Sequence, residues 1–470
     1  MIFAMEKKPF DKIAVYEDAG NFVTYHQLCE GVTWFKEKVR GRSLIFCLCQ
    51  NRVGSLIGYL GGVGGGHVVI MLDSEIDTSM LENLFDSYHP DYLWVPSGKT
   101  EQLNAFSYEI ISMAFGYSLL LTNCKSCDMH KDLSLLLTTS GSIGNPKLVR
   151  TSKKNIEANA ASIANYLKLG EGERPIMTLP MQYSYGLSVI NSHLLAGATL
   201  LMTERSVVQQ EFWDFLSERQ ATSFAGVPYT YEMLRRMRIT EKRLPSVTSM
   251  TQAGGKMPEL LQKEFGLWAK NQGIRFYIMY GQTEATARMS YLPYEKCLEK
   301  IGSIGISIPG GRFFIRDEKG NRVEEPGADG ELVYEGKNVG LGYAQTKEDF
   351  NRGDDWKGVL ATGDIARQDE DGYYYIVGRK KRFIKIYGVR VGLDECEQLL
   401  RKQYEGREFA CTGKDDHLAV YTNDRIIPEA VCEALSKMLR ISKRAVSCDY
   451  IDEIPRNAAG KIQYGLLEEK

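Results

Sequence analysis

Lys147 closes a stretch crowded with hydroxyls and glycines: Leu-Ser-Leu-Leu-Leu-Thr-Thr-Ser-Gly-Ser-Ile-Gly-Asn-Pro-Lys over 133–147. Gly141 and Gly144 permit backbone angles and close approaches that a Cβ forbids. Successive amide N–H groups in such a loop form a concave nest for anions. Ser140 and Ser142 add hydroxyl donors, and Lys147 adds a compact positive charge. The combination suits a polyphosphate. An ordinary turn after a strand would use the same residues, since Ser, Gly, Asn and Pro all form turns. A Walker loop is excluded, because Gly-x4-Gly-Lys-Ser/Thr cannot be fitted around Lys147.

Three further groups could do chemistry. Tyr280-Gly281-Gln282-Thr283-Glu284 follows an expected strand at 275–279, and parallel α/β sheets bind ligands at the carboxyl ends of their strands. Tyr280 offers a flat face for a base, Thr283 a hydroxyl, and Glu284 an oxygen ligand for a hard cation. A strand-end turn with a solvated Glu is the plainer reading. In Thr362-Gly363-Asp364 the carboxylate could accept bonds from both hydroxyls of a ribose, or simply close an Asx turn. Residues 379–390 hold six basic side chains in twelve. A net charge of −2 over the chain gives little support to a nucleic-acid patch there, and a solvated linker is the bland alternative.

The elements that must carry these groups alternate. Strands are expected at 12–16, 43–49, 67–72, 133–137, 148–151, 199–202, 222–227, 247–251 and 275–279, from short apolar runs. Between them the pattern predicts helices from Thr24 to about 38, through Ile156, Ala160, Ile163 and Leu167, and over 187–195, 211–218, 229–237 and 258–270. Such alternation implies parallel sheets covered by helices. Residues 97–132 read as irregular. Residues 302–343 read as Gly-rich turns and short strands, with a hairpin near 318–321. Mixed helix and strand return from Glu395. Gly62-x-Gly64 fails as a dinucleotide fingerprint because His67 stands where glycine is needed; its small residues suit close helix packing instead.

At 470 residues, 43% hydrophobic and 25% charged, the chain has the composition of a globular protein of two or more domains. No apolar run reaches the length of a membrane span, and the first residues lack the apolar core of a signal peptide. Ten scattered cysteines suit a reducing compartment, so a cytoplasmic location is expected. Cys124-x-x-Cys127 with His130 lacks the fourth ligand of a zinc site.

Together these motifs identify the chain as similar to the adenylate-forming superfamily of acyl- and aryl-CoA ligases and nonribosomal peptide adenylation domains. Residues 139–147 resemble its phosphate loop, [Thr/Ser]-Ser-Gly-[Ser/Thr]-Thr-Gly-x-Pro-Lys, with Ile143 at a usual Thr. Tyr280–Glu284 matches Tyr-Gly-x-Thr-Glu, and 362–364 match its ribose element. Gly378-Arg379-x-Lys381 resembles the hinge, and Pro455-Arg456-x-x-x-Gly460-Lys461 the terminal lysine motif, with Tyr464 at a usual Arg. The resemblance spans about 10–465.

The resemblance implies the following. ATP sits on Thr139, Ser140, Gly141, Ser142, Gly144 and Lys147, beside the glycine turn Gly254-Gly255. Tyr280 and Gly281 flank the adenine, Thr283 touches the α-phosphate and Glu284 holds Mg²⁺. Asp364 and Arg379 bind the ribose. Lys461 bridges the substrate carboxylate and α-phosphate. An α/β domain at 1–380, with parallel sheets and a small β-rich subdomain, precedes a mobile α+β domain at 382–470. The hinge is Lys381, and Lys385 swings in for the thiol step. The expected reaction converts a carboxylic acid to its acyl-adenylate and transfers it to coenzyme A or carrier-protein phosphopantetheine, with an acyl carrier protein then a partner. A non-thiol acceptor and a non-catalytic nucleotide binder are the alternatives. The acid pocket is expected from Tyr183, Ser184, Gly186, Val227, Pro228, Ala253 and Met279. No carboxylate in 183–187 pairs an α-ammonium, which favours a fatty or aromatic acid over an amino acid.

Overall fold

The run Leu-Ile-Phe-Cys-Leu-Cys forms the strand Leu44–Cys49, buried along its whole length, as befits a strand covered on both faces of a parallel sheet. The computed structural model describes residues 2–468 except 104–105, 125–126, 139–146, 381, 388, 426–427, 440 and 458–459. The chain forms two units, Met1–Arg312 with Glu335–Leu360, and Phe313–Tyr334 with Ala361–Lys470. No helix among the described residues is long and apolar enough to cross a membrane.

The first unit contains two large sheets. One runs Ile306–Ser307, Ser290–Leu292, Arg275–Tyr280, Ser249–Gln252, Ser223–Gly226, Pro175–Ile176, Leu200–Met202, Ile13–Glu17 and Phe22–Thr24. Its middle, from Arg275–Tyr280 to Ile13–Glu17, is parallel, and antiparallel strands finish both edges. The second runs Gly342–Ala344, Leu148–Ser152, Leu133–Thr138, Val68–Asp73, Leu44–Cys49, Tyr92–Pro96, Tyr117–Thr122 and Tyr108–Ala114. The expected alternation is present along much of the unit: Leu44–Cys49, Val68–Asp73, Pro175–Ile176, Leu200–Met202, Ser223–Gly226 and Ser249–Gln252 are each followed by a helix, whereas Leu133–Thr138 and Arg275–Tyr280 lead into antiparallel strands. Thr24 starts the helix Tyr25–Lys38 with a reciprocal cap, Thr24 N–H donating to Gln27 Oε1 (2.9 Å) and Gln27 N–H to Thr24 Oγ1 (3.2 Å), a pairing that satisfies two otherwise orphaned donors.

The glycines near Gly62 lie inside the helix Val53–Gly65. A Cβ on Gly58 would stand 2.2 Å from the Trp94 ring, and one on Gly62 would stand 2.3 Å from Val69 Cγ2. Close packing accounts for them. Residues 97–132, expected to be irregular, instead contribute the antiparallel strands Tyr108–Ala114 and Tyr117–Thr122. Cys124 and Cys127 are free thiols, and no group of three or more candidate metal ligands occurs among the described residues.

A five-stranded sheet of Arg322–Val323, Gly311–Arg316, Gly330–Gly336, Val359–Gln368 and Tyr374–Arg379 carries the Gly-rich region. Its hairpin turn falls at 317–321, where Gly320 N–H donates to Asp317 O. Beyond it in the second unit come the hairpin Phe383–Ile386 with Val389–Gly392 and a sheet of Phe409–Lys414, His417–Thr422 and Val446–Tyr450. The helices Leu393–Gln403 and Pro428–Leu439 cover that sheet over a core including Leu400, Phe409, Val420 and Leu435. Lys381, the expected hinge, lies outside the described residues.

Candidate active site

Of the expected phosphate loop, Thr139, Ser140, Gly141, Ser142 and Gly144 lie outside the described residues. Lys147 is described, with Nζ 5.7 Å from the centroid of the Tyr343 ring. Tyr343 reaches it because Gly342–Ala344 pairs antiparallel with Leu148–Ser152, Tyr343 opposite Val149. The fully buried Arg150 ties that strand down: Nε donates to Tyr343 O (3.2 Å), Nη2 donates to Leu341 O (2.9 Å), and Asp355 pairs its charge. The Tyr343 hydroxyl in turn donates to Glu284 Oε1 at 2.6 Å. Burial and then the Glu284 carboxylate hold that phenol well above its ordinary pKa, so it remains a donor. Lys147, Tyr343 and Glu284 thus form one chain of contacts, and nothing in the sequence signalled Tyr343.

Glu284 follows the strand Arg275–Tyr280 in a short 3₁₀ turn, Thr283–Ala285. Asn338 Nδ2 donates to Ala285 O (2.8 Å) and Arg288 O (3.0 Å), Thr286 Oγ1 to Asn338 O (2.6 Å), and Gly340 N–H to Glu284 O (2.8 Å). These bonds hold Thr286 and Ala287 at φ of 56° and 96°, a strained conformation that persists only where its surroundings over-determine it. Tyr280, Gly281, Thr283 and Glu284 are all half-buried.

Glu284 has one oxygen on Tyr343 and no Lys or Arg partner among the described residues. One accessible carboxylate, rather than a cage of ligands, fits Mg²⁺, which keeps waters and takes its remaining oxygens from phosphates.

The residues expected to line the acid pocket also lie in the first unit, and several of them touch. Ser184 Oγ and Thr283 Oγ1 are 3.0 Å apart. A Cβ on Gly254, whose φ is +86°, would stand 2.6 Å from the Tyr183 hydroxyl and 3.1 Å from Val227 Cγ1; one on Gly255 would stand 3.1 Å from Pro228 Cγ. Ala253 N–H donates to Gly226 O, which sets that turn beside Val227. Tyr183 and Tyr185 lie edge to face, and the Tyr185 hydroxyl meets Thr251 Oγ1 at 2.9 Å. Burial raises the Tyr183 phenol and brings Tyr185 to about 12. Gly186 packs on backbone, since a Cβ there would stand 2.3 Å from Pro180 O. Met279 is buried, its sulfur accepting from Tyr166 Oη (3.0 Å) and Arg288 Nη1 (2.9 Å).

In the second unit, antiparallel pairing sets Asp364 opposite Arg379, with Arg379 Nε 3.2 Å from Asp364 Oδ1. The expected tight turn at 362–364 is not a turn: Gly363, at φ +72°, lies inside the strand Val359–Gln368, and Thr362 Oγ1 accepts from Asp364 N–H. Lys385 falls in the strand Phe383–Ile386. Lys461 N–H donates to Asn457 Oδ1 (3.0 Å), and Asn457 N–H donates to Lys461 O (2.9 Å).

Tyr280–Glu284 lies at the carboxyl end of a parallel strand, where such sheets bind ligands, and comparison makes the chain an adenylate-forming enzyme. The model for the AMP-binding enzyme family matches residues 3–344, and the chain belongs to that family. It is similar to a 2-succinylbenzoate–CoA ligase of Bacillus pumilus, 30% identical over 363 residues, covering 74% of this chain and 72% of that one. It is also similar to an oxalate–CoA ligase of Arabidopsis thaliana, 27% identical, covering 78% and 73%. Its fold matches the O-succinylbenzoate coenzyme A synthetase of Bacillus subtilis in complex with AMP, with a TM-score of 0.79 at 21% identity, covering 98% and 96%. The activity is that of an AMP-forming ligase joining a carboxylic acid to a thiol.

Proposed function

We propose that this ligase joins a fatty or aromatic carboxylic acid to coenzyme A through an enzyme-held acyl-adenylate. The observation that carries the reading is the run of contacts from Lys147 through Tyr343 to Glu284, together with Thr283 on Ser184 and the Tyr183–Gly254–Val227 cluster. Phosphate-type, cation-type and acid-type groups then share one unit. Coenzyme A is favoured over carrier-protein phosphopantetheine because the relatives above are coenzyme A ligases. A reaction drawing on ATP and coenzyme A supports the cytoplasm as its compartment.

In the first step a carboxylate oxygen attacks the α-phosphorus of ATP, and the bond to pyrophosphate breaks. Lys147 and the phosphate loop orient the β- and γ-phosphates, Thr283 the α-phosphate, and Tyr280 flanks the base. Asp364 and Arg379 fix the ribose. Lys461 offsets charge between the attacking carboxylate and the α-phosphate, the kind of preorganised stabilisation that dominates such transfers. Glu284 would hold Mg²⁺, which when bound neutralises phosphate charge. In the second step the thiol attacks the acyl carbon and AMP leaves. We assign the exchange of Lys461 for Lys385 between the steps to rotation of 382–470 about Lys381, a hinge motion.

Acid-dependent ATP–pyrophosphate exchange tests the reading, with paired acids such as phenylpropanoate against phenylalanine and butanoate against 2-aminobutanoate, followed by thioester formation with coenzyme A. The des-amino acids should be preferred, because burying an ammonium with no carboxylate partner costs several kcal/mol. A consistent preference for the amino acids, or exchange with none of the acids, would overturn it.

A further inference from the structure

Arg288 is a buried cation with no anion to match it. It is 2% exposed, yet no carboxylate pairs with it among the described residues. Nε donates to Ser188 Oγ (3.1 Å), and Nη1 to Tyr166 Oη (3.1 Å) and Met279 Sδ (2.9 Å). The guanidinium carbon sits 4.7 Å from the centroid of the Tyr185 ring. Nη2 has no hydrogen-bond partner among the described residues. Every group it does touch is neutral, and a buried guanidinium without a carboxylate is a strongly unfavourable arrangement unless something supplies the missing charge.

The surroundings identify what supplies it. Tyr185 and Met279 both belong to the acid pocket, and Ser188 lies one turn beyond Ser184 on the helix Ser184–Ala196. Ser184 bonds Thr283, the residue assigned to the reacting end. Four residues of helix advance by roughly 6 Å, so Arg288 marks the pocket about one helical turn deeper than that end. The left-handed turn at Thr286 and Ala287 turns the chain inward at this point, with the Arg288 carbonyl accepting from Asn159 Nδ2 (2.9 Å) and Asn338 Nδ2 (3.0 Å).

We propose that Arg288 forms an anionic subsite for a second carboxylate, making the substrate a dicarboxylic acid whose two carboxyl groups are separated by a short chain or ring. The inference rests on the ligase reading above. The guanidinium presents a planar donor edge suited to a carboxylate, Tyr185 flanks the connecting carbons, and the far carboxylate reacts near Thr283. The same cation repels an ammonium group, which adds to the exclusion of free amino acids.

The test compares matched pairs in pyrophosphate exchange: succinate against butanoate, adipate against hexanoate, and 2-carboxyphenylpropanoate against phenylpropanoate. Wild type should favour the diacid of at least one pair by about 10- to 100-fold in kcat/KM, the effect expected of a charge-assisted hydrogen bond. Arg288→Met should collapse that ratio, and Arg288→Lys should restore part of it. The KM for ATP, read in parallel, should not follow the ratio. Equal losses for diacids and monoacids in both variants would make Arg288 a structural brace and overturn the proposal. So would a wild-type preference for every monoacid. Exchange with monoacids alone leaves the ligase reading standing while this one fails; exchange with no acid removes both.

Discussion

Gly281 has no room for a side chain, because an added Cβ would lie 1.6 Å from Ala287 O. The Tyr-Gly-Gln-Thr-Glu turn therefore folds back on itself, with Met289 N–H donating to Tyr280 O at 2.9 Å, and delivers Thr283 and Glu284 to the strand end. Lys461 is positioned differently: its backbone exchanges bonds with Asn457, and the charge of its side chain is the group proposed above to act in the reaction. Lys461→Ala keeps those backbone bonds. It should lower acid-dependent pyrophosphate exchange roughly 100- to 1000-fold, the cost of about 2.7–4 kcal/mol for losing one preorganised donor. Nucleotide-induced thermal stabilisation should persist. Unchanged exchange would remove Lys461 from the reaction.

At the scale of elements, the C-terminal segment is anchored in a way the sequence motif did not suggest. Tyr464 stands where the family resemblance suggests Arg, a change that would loosen the tail. Instead its ring lies 3.5 Å from the Arg382 guanidinium carbon, and its hydroxyl donates to Glu397 Oε2 at 3.2 Å. Burial raises the Glu397 pKa, while Arg382 and then Arg401 oppose that shift; Arg382 Nη2 lies 2.9 Å from Glu397 Oε1. Ile451, Ile454 and Leu467 complete the anchor against Ala410 and Tyr421. Tyr464→Phe, which loses one hydrogen bond, should cost about 1 kcal/mol. Tyr464→Ala, which also loses the ring, should cost about 2–3 kcal/mol and depress exchange well beyond the Phe variant. Urea midpoints and exchange rates measured side by side would decide; equal behaviour of the two variants would mean that the ring contributes nothing. Such contacts are tertiary. Tyr464 and Glu397 are 67 residues apart, Tyr343 and Glu284 are 59 apart, and no local spacing announces either pair. Many of the alternating strands were legible because they carry short apolar runs, as in Leu44–Cys49 and Val68–Asp73. The Tyr108–Ala114 strand was not, since it lies at a sheet edge with Ile110 and Met113 exposed and shows no inside–outside alternation. Arg288 was hidden for the same reason as Tyr343: its charge means something only beside Met279, Tyr185 and Ser188.

Over the whole molecule, acid should attack one unit first. His193 lies buried in the helix Ser184–Ala196, its Nδ1 2.8 Å from Val189 O and its Nε2 without a hydrogen-bond partner among the described residues. Burial brings its pKa down to about 4, and burial followed by Arg42 and Lys36 does the same for His67. Unfolded histidine titrates near 6.5. Above that pH both states are neutral and these residues leave stability unaffected by pH. As pH falls from about 6.5 toward 4 the unfolded chain binds protons that the folded chain refuses, so stability drops, by roughly 3 kcal/mol for a fully buried histidine. Both histidines belong to the first unit, which also holds all five tryptophans, Trp34, Trp94, Trp213, Trp268 and Trp356. Tryptophan fluorescence in urea therefore reports on the unit concerned. Its midpoint should fall steeply between pH 6.5 and 4.5, and His193→Gln should flatten that slope relative to wild type even where the variant starts from a lower midpoint. A variant with the wild-type slope would show that His193 takes up its proton in the folded state, and the acid sensitivity would then have to come from groups other than this buried imidazole.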